Sequence, residues 1–194
     1  MSHSYETRTF TVSSEKLPSS FSSLEEFETF SREAGGIAHA RSDGFHHLWG
    51  STRSGWAIYL MRNLLRSYPD ATSLQFLSDK GQTYNFETEY GLTAVSVLDS
   101  RAVDAAVEQL DQLLSSLRAD PAQIYDADEG GVFDADVETA LARDYVSAKP
   151  AFDNQVRGDE GEGADYLLTY LRSVLALLRT AQGEELSVVH ALTV

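Results

Sequence analysis

The sequence predicts an α+β fold, with an antiparallel sheet of about four to six strands packed against long amphipathic helices. Three observations carry that expectation. Residues 73–98 contain short runs of alternating β-branched and aromatic residues, the pattern of half-buried strands. Two long stretches, from Arg101 and from Ala164, repeat apolar side chains at the helical period. The chain of 194 residues is 42% hydrophobic and 23% charged, so it can bury one core without disulfides or metal. Residues 1–194 therefore read as a single domain.

Tyr5 to Val12 alternates polar and apolar residues and predicts a strand. Ser13 to Ser20 is a connector. Ser22 and Ser23 precede Glu25 and Glu26, so either serine suits the start of a helix and the glutamates suit its positive end. Leu24, Phe27 and Phe30 mark the buried face, and Gly35-Gly36 the end. Residues 37–50 fit no regular pattern. From Gly55 the helical period returns, with Trp56, Tyr59, Leu60, Leu64 and Tyr68 on one stripe and Pro69 as the stop.

Three strands are then expected as a meander: Ser73–Leu77, Gln82–Tyr90 and Leu92–Leu98. Ser78 to Gly81 suits a hairpin turn, and Gly91 a bend or bulge. Asp99-Ser100 caps a helix whose Val103, Ala106, Val107, Leu110, Leu113, Leu114 and Leu117 lie on one face. A shorter helix is expected over Val137–Val146, and a mobile acidic loop near 153–163. A long helix follows from Asp165 to about Ala181, ended by Gly183, and Leu186–Leu192 reads as a closing strand.

Charge is the strongest functional signal. The net formal charge is -15, and residues 99–165 hold 17 Asp or Glu against 5 Lys or Arg. A field of this sign repels nucleic acid and anionic lipid and attracts basic surfaces. Arg53, Arg62, Arg66 and Lys80 are too scattered to form a nucleic-acid platform. There is no cysteine, which removes thiolate metal sites and thiol nucleophiles. The N-terminus lacks the apolar run of a signal peptide, and Tyr166–Ala181 is too short and too charged to span a bilayer. A cytoplasmic protein is the expectation.

The stretch from Asp126 to Glu138 imitates a calcium-binding EF-hand loop. Asp126, Asp128, Gly131 and Asp134 fit their positions, but Gly130 offers no side-chain oxygen and Val137 stands where the bidentate carboxylate belongs. No metal is expected there. Gly50 to Gly55 has the glycine spacing of a phosphate loop, yet Trp56 and Ala57 replace its Lys and Ser/Thr. No triad, kinase or dinucleotide motif is present, and no cofactor is expected.

The residues point first to a non-enzymatic acidic binding protein, of which a bacterial immunity or antitoxin-like inhibitor of a basic partner is the sharpest form. Tyr125, Asp126, Asp128, Glu129, Phe133, Asp134 and Asp136 would form its partner-binding face, with aromatic anchors among carboxylates. The alternative is a small-molecule enzyme or sensor with its site at His39, His46, His47, Trp49, Arg53 and Trp56. A homodimer formed through an uncovered helix stripe is a third reading.

Overall fold

A computed structural model describes residues 6–34, 52, 55–78, 81–88, 91–127, 141 and 164–193. Its sheet has four strands, β1 (Glu6–Val12), β2 (Tyr84–Thr88), β3 (Gly91–Leu98) and β4 (Ser187–Thr193). The order across the sheet is β1-β4-β3-β2, and every neighbouring pair is antiparallel. The helices are α1 (Leu24–Ala34), α2 (Gly55–Ser67), α3 (Ser100–Ala119), α4 (Ala122–Ala127) and α5 (Ala164–Gly183). This is the α+β class read from the sequence.

Both faces of the sheet are covered. The sequence suggests a cover on one side only, from the helices that begin at Arg101 and Ala164. The alternation along the strands explains the second layer. On β1, Thr7 and Thr9 point one way while Phe10 and Val12 point the other, and all four are buried. Phe10, Val12, Val95, Val189 and Ala191 pack with Phe21 and Phe27 of the α1 segment. Val188 and Leu98, on the opposite face, join the larger core of α2, α3, α4 and α5.

The α1 layer is an aromatic cluster. Phe21 meets Phe27 and Tyr84 edge-on, each at 5.4 Å between ring centres, and Phe10 contacts Phe30 at 6.1 Å. Such pairs add about 0.5–1.5 kcal/mol each beyond area burial. The helix start forms as its sequence suggests. Ser23 Oγ accepts from the Glu26 amide at 3.2 Å, and the Glu26 carboxylate accepts from the Ser22 amide at 2.8 Å. The two serines thus share the capping between them.

The three-strand meander is not what forms. Thr72–Leu77 is a 3-10 helix, not a strand. Leu74 and Leu77, three apart, both reach the core, as the three-residue turn requires. Gln109 of α3 fixes this helix by accepting from the Ser73 amide at 2.8 Å. A short apolar run serves either element, and a tertiary contact decides. Ser78–Gly81 therefore closes no hairpin, and Asp79 and Lys80 lie outside the described residues. The hairpin that does exist joins β2 to β3, where Thr88 pairs with Gly91 at φ 148°, a backbone angle suited to glycine.

Other boundaries match closely. Asp99 Oδ1 accepts from the Ala102 amide at 2.8 Å and caps α3. All seven apolar residues named on its stripe are buried. Helix α5 runs through Gly183 rather than stopping before it. Its left-handed residue is Glu185, at φ 55°, and the Leu186 amide donates back to Ala181 O at 2.8 Å. That closing bond satisfies a carbonyl left open at the helix end, while Leu186 packs on the core. The expected helix over Val137–Val146 lies outside the described residues apart from Leu141, which is buried. The stretch 153–163 lies outside them entirely.

Gly81 is required by space. A Cβ there would lie 2.6 Å from both the Gln75 carbonyl carbon and the Phe76 nitrogen. Those are backbone atoms of the 3-10 helix and cannot rotate away. The expected effect of Gly81→Ala is a loss of about 1–3 kcal/mol. Urea denaturation should show a lowered midpoint with an unchanged slope.

Candidate functional site

The face of the sheet turned to the larger core of α2, α3 and α5 carries a polar row among apolar residues. Thr9, His190 and Ser96 stand opposite one another on β1, β4 and β3. All three are buried. Thr9 Oγ1 and His190 Nδ1 share a hydrogen bond of 2.8 Å. Ser96 Oγ donates to Gly81 O at 2.9 Å. The Phe76 ring stands edge-on to the imidazole at 5.3 Å. His190 Nε2 has no hydrogen-bond partner. Burial pushes the imidazole pKa down from the ordinary 6.5 to about 3, so the ring is neutral.

Two further polar side chains lie in this interior. The Tyr170 hydroxyl is close to the Thr7 side chain but forms no hydrogen bond of good geometry. Burial raises its pKa above the ordinary range, and Thr7 offsets only part of that rise. Arg172 is 1% exposed and its Nη2 donates to Leu141 O at 2.7 Å. Acid–base work needs a proton acceptor near neutrality and a route to substrate. His190 has neither: its pKa is too low, and its ring is buried beside Phe76. The row is a structural one.

The outer surface is different. Helix α4 presents Tyr125 and Asp126 outward while Ile124 and Ala127 point inward. Among the described residues Tyr125 is the exposed large hydrophobic side chain, at 46%. The short helix is held by α2. Asn63 Nδ2 donates to Ala127 O at 2.9 Å, and Arg66 Nη1 donates to Asn63 Oδ1 at 3.0 Å, fixing the amide's orientation. Tyr68 hydrogen-bonds both Ser116 of α3 and Gln123 of α4. An exposed aromatic beside a carboxylate is thus mounted on a rigid base.

Carboxylates occupy both sides of the molecule. Asp104, Glu108, Asp120 and Asp126 are exposed on the α3–α4 side, and Glu25, Glu26 and Glu33 on α1 across the sheet. The sequence directs attention to residues 99–165 and understates the α1 group, whose acids are fewer but converge on one helix. Part of the α3 charge is spoken for. Arg179 donates to both oxygens of Asp111 at 2.8 Å, and Gln182 donates to Asp104 at 2.9 Å. That pair is solvent-exposed on both partners and contributes little stability.

Of the expected partner-binding face, the described residues are Tyr125 and Asp126, both exposed on α4. Asp128, Glu129, Phe133, Asp134 and Asp136 lie outside the described residues. So do His39, His46, His47, Trp49 and Arg53 of the alternative site. Trp56 belongs to α2, but its side chain is not among those described. Among the described residues no group of three His, Asp or Glu is placed to hold a metal ion, and no helix is long and apolar enough to cross a membrane. Comparison with protein families, curated proteins and solved structures returned no match.

The interior row has a thermodynamic consequence. Below the ordinary pKa of 6.5 the unfolded chain takes up a proton at His190, while the folded chain refuses it down to about 3. Stability from this group is therefore complete above pH 6.5 and is lost as pH falls through that window. The slope approaches about 1.4 kcal/mol per pH unit. Urea midpoints measured from pH 7 to pH 4 should fall along this slope, and His190→Gln should flatten it.

Proposed function

We propose that the protein is a non-enzymatic binding protein that docks its acidic surface on a basic partner protein. The observation that carries this reading is the Tyr125–Asp126 corner: an exposed aromatic and an adjoining exposed carboxylate on a helix tied down by Asn63 and Tyr68. Aromatic anchors on preorganised elements supply affinity, and surrounding charge supplies encounter rate and partner choice. The net charge of -15 favours a cationic partner and disfavours phosphate-bearing ones. The sharpest form is an immunity or antitoxin-like inhibitor that covers a basic toxin in the bacterial cytoplasm. No cofactor enters this reading.

The tagged protein should retain a basic partner from native lysate at about 0.1 M salt and release it at about 1 M, where the screening length falls to about 3 Å. Tyr125→Ala and Asp126→Lys should each weaken the purified complex by about fivefold or more. Circular dichroism should show both variants folded. A partner that is neutral, or one held equally at both salt concentrations and by both variants, would overturn the reading.

A further inference from the structure

Across the sheet from Tyr125, α1 and the connector before it enclose an open groove of about 510 Å³. Pro18 and Phe30, both half-buried, form its accessible apolar part, and the buried Phe21 packs beneath them. Glu25, Glu26 and Glu33 border it, with the Lys16 ammonium in the lining and the Arg32 guanidinium donating to the lining Thr29 at 3.1 Å. Glu25 and Glu33 lie two turns apart on α1, so their charges flank the length of the groove. Glu26 is held in place by the Ser22 amide at 2.8 Å and the Ser22 hydroxyl at 2.6 Å. Those bonds lower its pKa, the side-chain bond most, so it stays ionised. The aromatic floor is fixed by packing: Phe21 meets Phe30 at 5.2 Å and Tyr84 at 5.4 Å.

Three carboxylates beside the half-buried rings of Pro18 and Phe30 make a specific chemical demand. Phosphate, nucleic acid and anionic lipid are repelled. A small hydrated metal ion gains nothing from the rings. A long side chain with an apolar stem and a cationic head satisfies both parts, the stem on the rings and the head among the carboxylates. Arginine suits this best, because its weakly hydrated planar head also pairs with carboxylates through two bonds. We infer that the α1 groove binds an arginine-bearing peptide segment of a partner protein, with Pro18 and Phe30 receiving the side-chain stem and Glu25, Glu26 and Glu33 its charge. This site is separate from the Tyr125 corner and does not depend on it.

The test is a titration of the ¹⁵N-labelled full chain with the blocked peptide acetyl-Gly-Leu-Arg-Leu-Arg-Gly-amide, followed by amide chemical shifts. Saturable shifts confined to residues 16–34 are expected. The same peptide with Glu in place of Arg should give none. Glu25→Lys combined with Glu33→Lys should weaken binding about tenfold or more, with the amide spectrum otherwise intact. Glu26 is left in place because it caps the helix. Tyr125→Ala should bind the peptide like the wild type, so failure of the corner and failure of the groove can be told apart. Three results would overturn the proposal: no saturable shift, shifts spread over acidic residues of every helix, or saturation by spermidine with none by the peptide.

Discussion

The fold depends on β4 being accepted between β1 and β3. Six of its seven residues are buried, and it pairs with β1 along its whole length and with β3 from Val188 to Thr193. Without it the sheet falls into an isolated strand and a two-stranded hairpin, neither of which is stable alone. The partners are far apart in sequence: Thr9 and His190 are separated by 181 residues. Closing so long a loop costs entropy that is returned only when both ladders form and both helical layers have a surface to cover. The apolar character of Val188, Val189, Ala191 and Leu192 follows from this position, since a central strand covered on both faces cannot alternate with water-facing residues.

That position makes His190 the exception in its strand. A buried imidazole is tolerated because it is neutral and because Thr9 engages Nδ1. The row Thr9–His190–Ser96 gives the sheet a polar line that a one-residue slip would break. A slip of one residue would turn His190 toward the phenylalanines of the α1 layer and bring Val189 and Ala191 into the polar row. The same residue that limits stability in acid thus favours the correct pairing. Arg172 stands in a related situation on α5, a long cationic side chain in the interior whose head reaches the carbonyl of Leu141.

The surface follows a different logic from the interior. The helix that carries Tyr125 is only six residues long, too short to hold itself, and it is positioned by side chains of α2 and α3. Helix α1 is eleven residues long and is positioned by its aromatic underside, which leaves Glu25, Glu26 and Glu33 facing water. Both acidic surfaces are thus presented by well-packed supports. On α3, by contrast, Asp104 and Asp111 are drawn into contacts with α5 and serve the seam between two helices.

Periodicity and capping alone determined much of this molecule. The apolar stripe of α3, its Asp99 cap, the serine–glutamate start of α1 and the closing strand are local patterns, and local hydrogen bonds and side-chain spacing suffice to define them. Tyr125 and Asp126 were legible as exposed candidates because an aromatic among carboxylates has little reason to be buried. What only the tertiary structure decided were matters of partnership. Thr72–Leu77 became a 3-10 helix through contact with α3. Arg172 was buried and Arg179 left exposed, although seven residues place both on a similar face of α5. The groove under α1 exists because Phe21, from a connector without regular pattern, folds against Phe30. Sequence fixes which side chains a segment can hide, whereas the neighbours that arrive from distant segments settle which of them are hidden.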